Sequence, residues 1–512
     1  MVFTGLYPTV GQGQSTAYQF RTSFGTGEQA SKFGWALAVS QEHVVVGLPF
    51  SDGQSGAVAV YAATDLSALD IAPSALLTET IGPLAGQRFG AAVACAGGRL
   101  AVANCSAQST ALYCNAEAAW VSIFSWTGAA WAQTGQVQRP PWATGGRFGR
   151  TIAMSDDLLA VGGARSPGNN GLRDVVYLYA LEDGGVGPLP VDSLDGSGAV
   201  SSSSVELGFA LAFSGNTLFV GAPGDDELAP DAGAVLVYLR GTVPGDHWNL
   251  VRKALASDGG AGAGYGFSIA AEGGLAVVGA PGHVVNGEAI GAAYVLDRDL
   301  GFEGNWGEVV RLLPAVAQAG MDFGTAVAMA PGRIAVSAPQ FALSDAGTDG
   351  SVEVFLAAAG SWSSMQVVTP YAQGQVNPVA RAGTSLAFAQ DHLLVGVPWA
   401  SITQPPGVPT GGVLVYTEGP VAVAEQAVRP VRAWPVPATD HVLVELPEGA
   451  AAGCRIHVAD ASGRTLRSIL VTRAVAPVRL ALEGMPPGVY TLVLADASSG
   501  ASLARGRFVV CR

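Results

Sequence analysis

The sequence predicts an all-β protein, a seven-bladed β-propeller followed by a C-terminal immunoglobulin-like β-sandwich. Three observations carry that prediction. First, a segment opening on glycine recurs seven times, at Gly34, Gly90, Gly149, Gly208, Gly266, Gly324 and Gly383, with intervals of 56, 59, 59, 58, 58 and 59 residues. Second, every copy shows the period-two alternation and turn residues of short antiparallel strands. Third, the pattern changes after about residue 420, and so does the charge. Residues 425–512 hold 10 of the 26 bases and 7 of the 40 acids, a balance of +3. The preceding residues therefore carry −17 of the net −14. Two units follow, with residues 1–420 as the propeller, 421–432 as a linker and 433–512 as the sandwich.

Within a repeat, the third residue after the glycine is aliphatic (Leu37, Val93, Ile152, Leu211, Ile269, Val327, Leu386). The fourth is always Ala, from Ala38 to Ala387, and the twelfth is always Val, from Val46 to Val395. Positions two and four after the glycine are Ala, Ser or Thr throughout, as strands crowded round an axis require. A two-residue turn follows, such as Gly215-Asn216 or Gly273-Gly274, whose residue types tolerate the positive φ of tight hairpins. A short buried strand comes next, such as Leu275–Val278, and Pro ends it in five repeats (Pro49, Pro223, Pro281, Pro339, Pro398). A third strand begins at a glycine, as in Gly233-Ala-Val-Leu-Val-Tyr238. A fourth starts near Trp131, Trp248, Trp306 or Trp362, read here as packing residues between blades. Four strands per ~58 residues make one propeller blade. The seventh repeat lacks a fourth strand of its own. Residues 17–23 stand eleven residues before Gly34, as 249–255 do before Gly266, so the N-terminal segment is predicted to close the last blade.

The pairs Phe33-Gly34, Phe89-Gly90, Phe148-Gly149 and Phe323-Gly324, with Gly221-Ala-Pro223 and Gly279-Ala-Pro281, resemble FG-GAP repeats, the blades of integrin α-subunits and many bacterial secreted proteins. Calcium-binding blades of that family insert an Asp/Asn-rich loop between the two motifs. Here the spacing is 13 residues in all seven copies, room for two strands and a tight turn only. The expectation is therefore a metal-free propeller without a cofactor.

In the C-terminal unit, strands are predicted at His441–Leu446, Arg455–Ala459, Val478–Leu482, Tyr490–Ala495 and Arg507–Val510, with turns at Asp460–Gly463 and Pro486–Gly488. Trp434-Pro435-Val436-Pro437, Gly463-Arg464, Gly488-Val489-Tyr490 and the basic end from Arg505 resemble, in order and spacing, the sorting domain of type IX secretion substrates. The resemblance implies Pro435, Pro437, Gly463, Arg464, Gly488 and Tyr490 as motif residues. It also implies the outer-membrane secretion machinery as a partner and an extracellular or cell-surface location. Val436 departs from the family, which usually has Asn there. The start, MVFTGLYPTV, has neither a basic n-region nor an apolar h-region, so the export signal is read as missing from this chain.

Composition narrows the function. Lys32 and Lys253 are the only lysines, and the net charge of −14 lacks the basic footprint of a general nucleic-acid binder. No apolar run approaches 18 residues, which excludes a transmembrane helix. Five cysteines without a CxxC give little support to zinc. Cys105/Cys114 and Cys454/Cys511 read equally as disulfides or as buried thiols.

No HxH, HExxH or GxSxG constellation is present. His43 and His392 share one repeat position just past the turn and read as surface-turn residues. Asp225, Asp226, Glu227 and Asp231 read as a solvated acidic loop rather than a cation site. Loop aromatics outside the repeated positions are different: Phe50, Tyr113, Trp142, Phe341 and Trp399 lie in loops that gather on one propeller face. Exposed aromatics on a rigid scaffold make recognition anchors. The reading is a secreted or cell-surface, adhesin-like module for a protein or glycan ligand. A structural component without a ligand is the rival. A glycan-active enzyme is disfavoured, because the inner strands offer Ala, Ser and Thr where carboxylates would be needed.

Overall fold

The nine-residue offset between the aliphatic and Val positions of each repeat is a hairpin register. Leu37 pairs Val46, Val93 pairs Val102, Ile152 pairs Val161, Leu211 pairs Val220, Ile269 pairs Val278, Val327 pairs Val336 and Leu386 pairs Val395. Only two residues remain in each turn: Ser214 faces Thr217, Glu272 faces Leu275, and the Ser40 and Ser155 amides donate to the His43 and Leu158 carbonyls at 2.9 Å. Turns this short offer few oxygen ligands to a cation. Calcium added to EDTA-treated protein is therefore expected to leave the thermal midpoint unchanged; a rise of ~10 °C or more would mean tight binding to the native state and overturn the expectation.

The computed structural model describes residues 16–25, 31–51, 55–67, 71–80, 88–104, 120–142, 147–165, 173–182, 185–201, 205–241, 247–342, 348–358, 361–369, 380–400, 410–420, 429–430, 433–434, 439–444, 454–459, 465–471, 478–496 and 502–510. They form two units, Met1–Gly419 and Pro420–Arg512.

Unit one is a seven-bladed propeller. A representative blade, the fourth, runs outward as Leu211–Ser214, Thr217–Ala222, Ala234–Arg240 and Trp248–Ala254. In the seventh blade the order is Leu386–Ala389, His392–Gly396, Val413–Pro420 and then Thr16–Phe24, so the outermost strand comes from the start of the chain. Each innermost strand lies beside its two neighbours, and Leu37–Val39 meets Leu386–Ala389 to complete the circle.

The core lies between blades. Each of seven apolar clusters draws on two adjacent blades, and the repeated Val of each blade belongs to the cluster it shares with the preceding one. The Trp residues that open fourth strands serve the same packing. The Trp306 ring meets Phe219 of the preceding blade at 4.6 Å, and Trp131 meets His43 at 5.0 Å.

The glycines of the repeat are explained at these seams. Gly266 has φ +96°, and a Cβ there would press on the Ala234 carbonyl of the preceding blade. A Cβ on Gly221 of that blade would press in turn on the Gly266 carbonyl. In three blades the small residue two after the glycine donates its hydroxyl across the seam: Thr151 to the Gly208 carbonyl at 2.5 Å, Ser268 to Gly324 at 2.7 Å and Ser385 to Gly34 at 2.8 Å.

Unit two has a five-stranded sheet in the order Arg429–Pro430, Ser502–Val510, Gly488–Asp496, Cys454–Ala459, Thr465–Val471, and a three-stranded sheet of Ala433–Trp434, His441–Val444 and Val478–Ala481. Val442, Val444 and Leu480 of the smaller sheet share one core with Ile456, Val458, Tyr490, Leu492 and Val510 of the larger. Thr465–Val471 is a strand the sequence reading did not place. Arg467 and Ser468 interrupt its apolar alternation, and the Arg467 guanidinium donates to the Ala481 and Glu483 carbonyls. Tyr490 is buried and donates its hydroxyl to the Pro486 carbonyl at 2.6 Å, while Gly488 opens the strand it stands on. Pro435, Pro437, Gly463, Arg464, Cys105, Cys114 and Cys511 lie outside the described residues.

Candidate binding site

Each blade is entered through a tight turn built on the repeat glycine. The amide one residue after the glycine donates to the carbonyl two residues before it: Trp35 to Lys32 at 3.1 Å, Ala91 to Arg88 at 3.2 Å, Arg150 to Arg147 at 3.1 Å, Phe209 to Glu206 at 3.1 Å and Thr325 to Asp322 at 3.2 Å. The residue two before the glycine is itself left-handed. Its φ is 57° at Lys32, 48° at Arg88, 69° at Arg147, 57° at Glu206, 57° at Asp322 and 47° at Arg381. Blade 5 alone has glycine there, Gly264. A non-glycine residue in this region costs on the order of 1–3 kcal/mol. All six non-glycine residues are charged.

The signs are sorted round the ring. Blades 7, 1, 2 and 3 present Arg381, Lys32, Arg88 and Arg147; blades 4 and 6 present Glu206 and Asp322. On blade 3 the cations meet carboxylates, Arg147 with Asp174 at 3.0 Å and Arg150 with Glu206 at 3.6 Å. On blades 7, 1 and 2 they stand over aromatic rings. Lys32 Nζ is 4.9 Å and the Arg381 guanidinium 5.1 Å from the Trp399 ring centre, and the Arg88 guanidinium is 5.0 Å from that of Phe50. Trp35 joins the two rings, 5.5 Å from Trp399 and 5.9 Å from Phe50. Burial and the neighbouring Arg381 charge both push the Lys32 ammonium below its ordinary pKa.

Backbone hydrogen bonds hold this cluster. The Phe50 amide donates to the Ser31 carbonyl at 3.3 Å, docking the loop between second and third strands against the entry turn of the same blade. Beside it opens an axial cavity of about 310 Å³, lined by all seven innermost strands. Its walls are Ala and aliphatic residues with the hydroxyls of Thr151, Ser268, Thr325 and Ser385, plus Phe209, Phe267 and Arg150.

Of the aromatics singled out in the sequence, Phe50 and Trp399 are brought together here. Trp142 is 55% exposed and stands outside the cluster. Tyr113 lies outside the described residues. Phe341 is corrected: it is only 7% exposed and packs with Ile290, Met321 and Phe323. It occupies a hidden repeat position, seventeen after the glycine, shared with Ser51, Asp225, His283 and Ala400, all buried. The carbonyl of that residue accepts the amide of the glycine opening the third strand, as from Gly350 to Phe341 at 2.9 Å and from Gly233 to Asp225 at 2.9 Å.

Asp225 is likewise no solvated acid. It is fully buried, accepts from Lys253 Nζ at 2.9 Å and receives the Ser201 and Glu227 amides at 3.1 Å. Sequence reasoning missed Trp35, Lys32, Arg88 and Arg381. The available signal was the charge two residues before the glycine in six of seven repeats.

His43 and His392 are not surface-turn residues. They are 7% and 5% exposed; His43 lies between Trp126 and Trp131, and His392 Nδ1 lies 2.9 Å from the Thr417 hydroxyl. Burial depresses the pKa of both, and of His283. A depressed folded-state value means that the unfolded chain binds protons first as pH falls. Stability is therefore full above about pH 6.5 and declines below it, by at most about 1.4 kcal/mol per pH unit for each histidine. Denaturant titrations between pH 7.5 and 5.5 are expected to show that decline, and a His43→Leu/His392→Leu variant a shallower one. An equal slope in the variant would contradict the assignment.

Residues 248–296, which contain Gly266 and Gly279-Ala-Pro281, match the family model described as FG-GAP repeat. No curated protein matches the chain. Among solved structures, the periplasmic gluconolactonase PpgL of Pseudomonas aeruginosa is similar at 14% identity and TM-score 0.41, over 78% of this chain and 99% of that one. Sqt1 of Chaetomium thermophilum is similar at 13% identity and TM-score 0.42, over 84% and 97%.

Proposed function

We propose that the propeller is the ligand-binding module of a secreted or cell-surface, adhesin-like protein, and that it takes a protein or glycan at the mouth formed by blades 7, 1 and 2. The observation that carries this reading is the cluster of Trp35, Phe50 and Trp399 with Lys32, Arg88 and Arg381. Half-buried aromatics and cations on loops held by a rigid ring are the chemistry of recognition. The FG-GAP match at 248–296, a repeat typical of extracellular proteins, supports the location. Among the described residues no helix is long and apolar enough to cross a membrane.

For residues 433–512 the proposal is an immunoglobulin-like sorting domain read by a type IX outer-membrane secretion machinery. The Tyr490 hydroxyl bonded to a carbonyl four residues upstream, at the start of a strand, supports the immunoglobulin-like part.

Screening the purified chain against a glycan array and a panel of matrix proteins tests the binding role. Loss of the hits in a Trp35→Ala/Trp399→Ala variant that stays folded is the expected result; hits that survive the variant place the ligand elsewhere. Fusing residues 421–512 to an exported reporter in a bacterium with a type IX system tests the address. A reporter that stays periplasmic would remove that part of the proposal.

A further inference from the structure

We infer that the face opposite the entry turns carries a second binding site, a cavity between the first hairpin turns of blades 1, 2 and 3 that takes an organic cation, an alkylammonium or guanidinium group, on Glu42, His43 and Asp156. The site is separate from the mouth proposed above and does not depend on it.

The cavity has a volume of about 580 Å³, within the range of ligand pockets. No Lys or Arg lines it. Each wall is a turn whose shape the sequence dictates. In blade 1 the Ser40 hydroxyl accepts the His43 amide at 3.1 Å, which leaves Gln41 and Glu42 at the exposed tip. In blade 2 the turn is Gly97-Gly98, with φ of 52° and 72°. A Cβ on Gly97 would lie 3.1 Å from Asp156 Oδ1, so glycine there leaves room for a carboxylate that reaches across from the turn of blade 3.

His43 is the observation that points to a ligand. It lines the cavity, is only 7% exposed, and its ring is held against Trp126 at 5.4 Å and Trp131 at 5.0 Å. Its ring nitrogens bond to no described residue, although a polar group buried this far is normally bonded. Burial holds the imidazole below its ordinary pKa, so at neutral pH one of those nitrogens is an acceptor. The charge that bears on it is the Glu42 carboxylate. Glu42 and Asp156 have no ion-pair partner among the described residues, whereas Asp157 beside them is paired with Arg240 at 2.5 Å. Arg99 reaches the same turn, but its guanidinium donates to the Asp156 and Glu182 carbonyls, at 2.9 and 3.1 Å.

Two carboxylates and a neutral imidazole, with no cation in the wall, call for a positively charged N–H donor. A metal ion does not fit, because no three His, Cys, Asp or Glu residues among those described converge to hold one. An organic cation suits the volume, and Val39, Cys95 and Ala96 offer its alkyl stem an apolar wall. The net −17 carried by the residues before 425 draws cations toward this unit.

The test is titration calorimetry of the full chain in low-salt buffer with agmatine, spermidine, a peptide of lysine and arginine, and butanediol as a neutral analogue. At least one of the three cations is expected to bind, and butanediol is not. Affinity is expected to fall about tenfold or more in Glu42→Gln/Asp156→Asn, through loss of charge-assisted hydrogen bonds, and to be unchanged in Glu288→Gln, an exposed acid on blade 5. Circular dichroism melts check that the double variant is folded. A second readout needs no variant: the bound cation should move the NMR resonances of the His43 ring and leave those of His247, whose side chain is 80% exposed, in place. Tighter binding of the peptide would assign the group to a basic side chain of a partner protein, and tighter binding of agmatine or spermidine to a free amine; either result supports the site. Equal affinity in the double variant, butanediol binding as tightly as the amines, an unmoved His43 ring, or no binding of any cation would overturn the inference and leave the role of the mouth untouched.

Discussion

Removal of residues 1–24 is expected to leave a propeller that does not fold cooperatively at room temperature. The deleted segment contains the outer strand of blade 7, Thr16–Phe24, and its side chains are central to two inter-blade cores. Phe24 is 4% exposed and meets Tyr61 at 4.5 Å and Phe33 at 5.9 Å, both in blade 1, so it joins the last blade to the first. Tyr18 is 2% exposed, faces Phe388 at 6.2 Å, and exchanges backbone hydrogen bonds with the Gln366 side chain of blade 6 at 2.7 and 2.9 Å. Phe20 meets Tyr416 at 5.8 Å. Emptying one buried aromatic site costs about 3–5 kcal/mol. Losing Tyr18 and Phe24 together, about 6–10 kcal/mol, matches the 5–15 kcal/mol typical of a whole domain. The deletion also exposes the edge of Val413–Pro420, a template for aggregation. Calorimetry and analytical ultracentrifugation of the truncated chain check this. A monomer melting within a few degrees of the intact chain would refute closure by this strand.

The second large effect is expected at the seam glycines. Gly266→Ala must hold φ near +96° and drive a methyl group into the Ala234 carbonyl. Gly221→Ala keeps an ordinary φ but meets the Gly266 carbonyl. Strained backbone costs on the order of 1–3 kcal/mol and overpacking a further 1–3 kcal/mol. Gly266→Ala should therefore destabilise by more than about 3 kcal/mol, and Gly221→Ala by about 1–3 kcal/mol. Gly273, in a hairpin turn at φ 57°, has nothing within 4 Å of an added Cβ. Gly273→Ala should cost only about 1 kcal/mol. Denaturant unfolding of the three variants decides the order. Equal losses would show that the repeat glycine serves conformation alone and not close approach between blades.

Much of the architecture was determined by the sequence alone, because a propeller blade is a local object. The hairpin register is written as an offset of nine residues between an aliphatic and a Val, and Leu37–Val46 through Leu386–Val395 pair accordingly. Glycine spacing, turn residues and Pro positions set strand ends within each ~58-residue copy, and repetition makes the blade count readable. The match of 17–23 to 249–255 pointed to the segment that pairs with Val413–Pro420, although nearly 400 residues separate the two. In the C-terminal unit, which does not repeat, Thr465–Val471 went unplaced because single-strand alternation is a weak signal once Arg and Ser interrupt it.

What the tertiary structure decided is which side chains meet. Phe341 and Asp225 looked like loop residues and are interior, because each 2–3 loop folds back to close on the glycine opening the third strand. His43 and His392 follow a turn, yet the neighbouring blade covers one and the last blade's own third strand bonds the other. Lys32 and Arg381 lie 349 residues apart along the chain and meet over the Trp399 ring only because the ring closes blade 7 onto blade 1. Local periodicity encodes each blade; the charge arc at the mouth is a property of the circle, and no window of sequence shorter than the ring contains it.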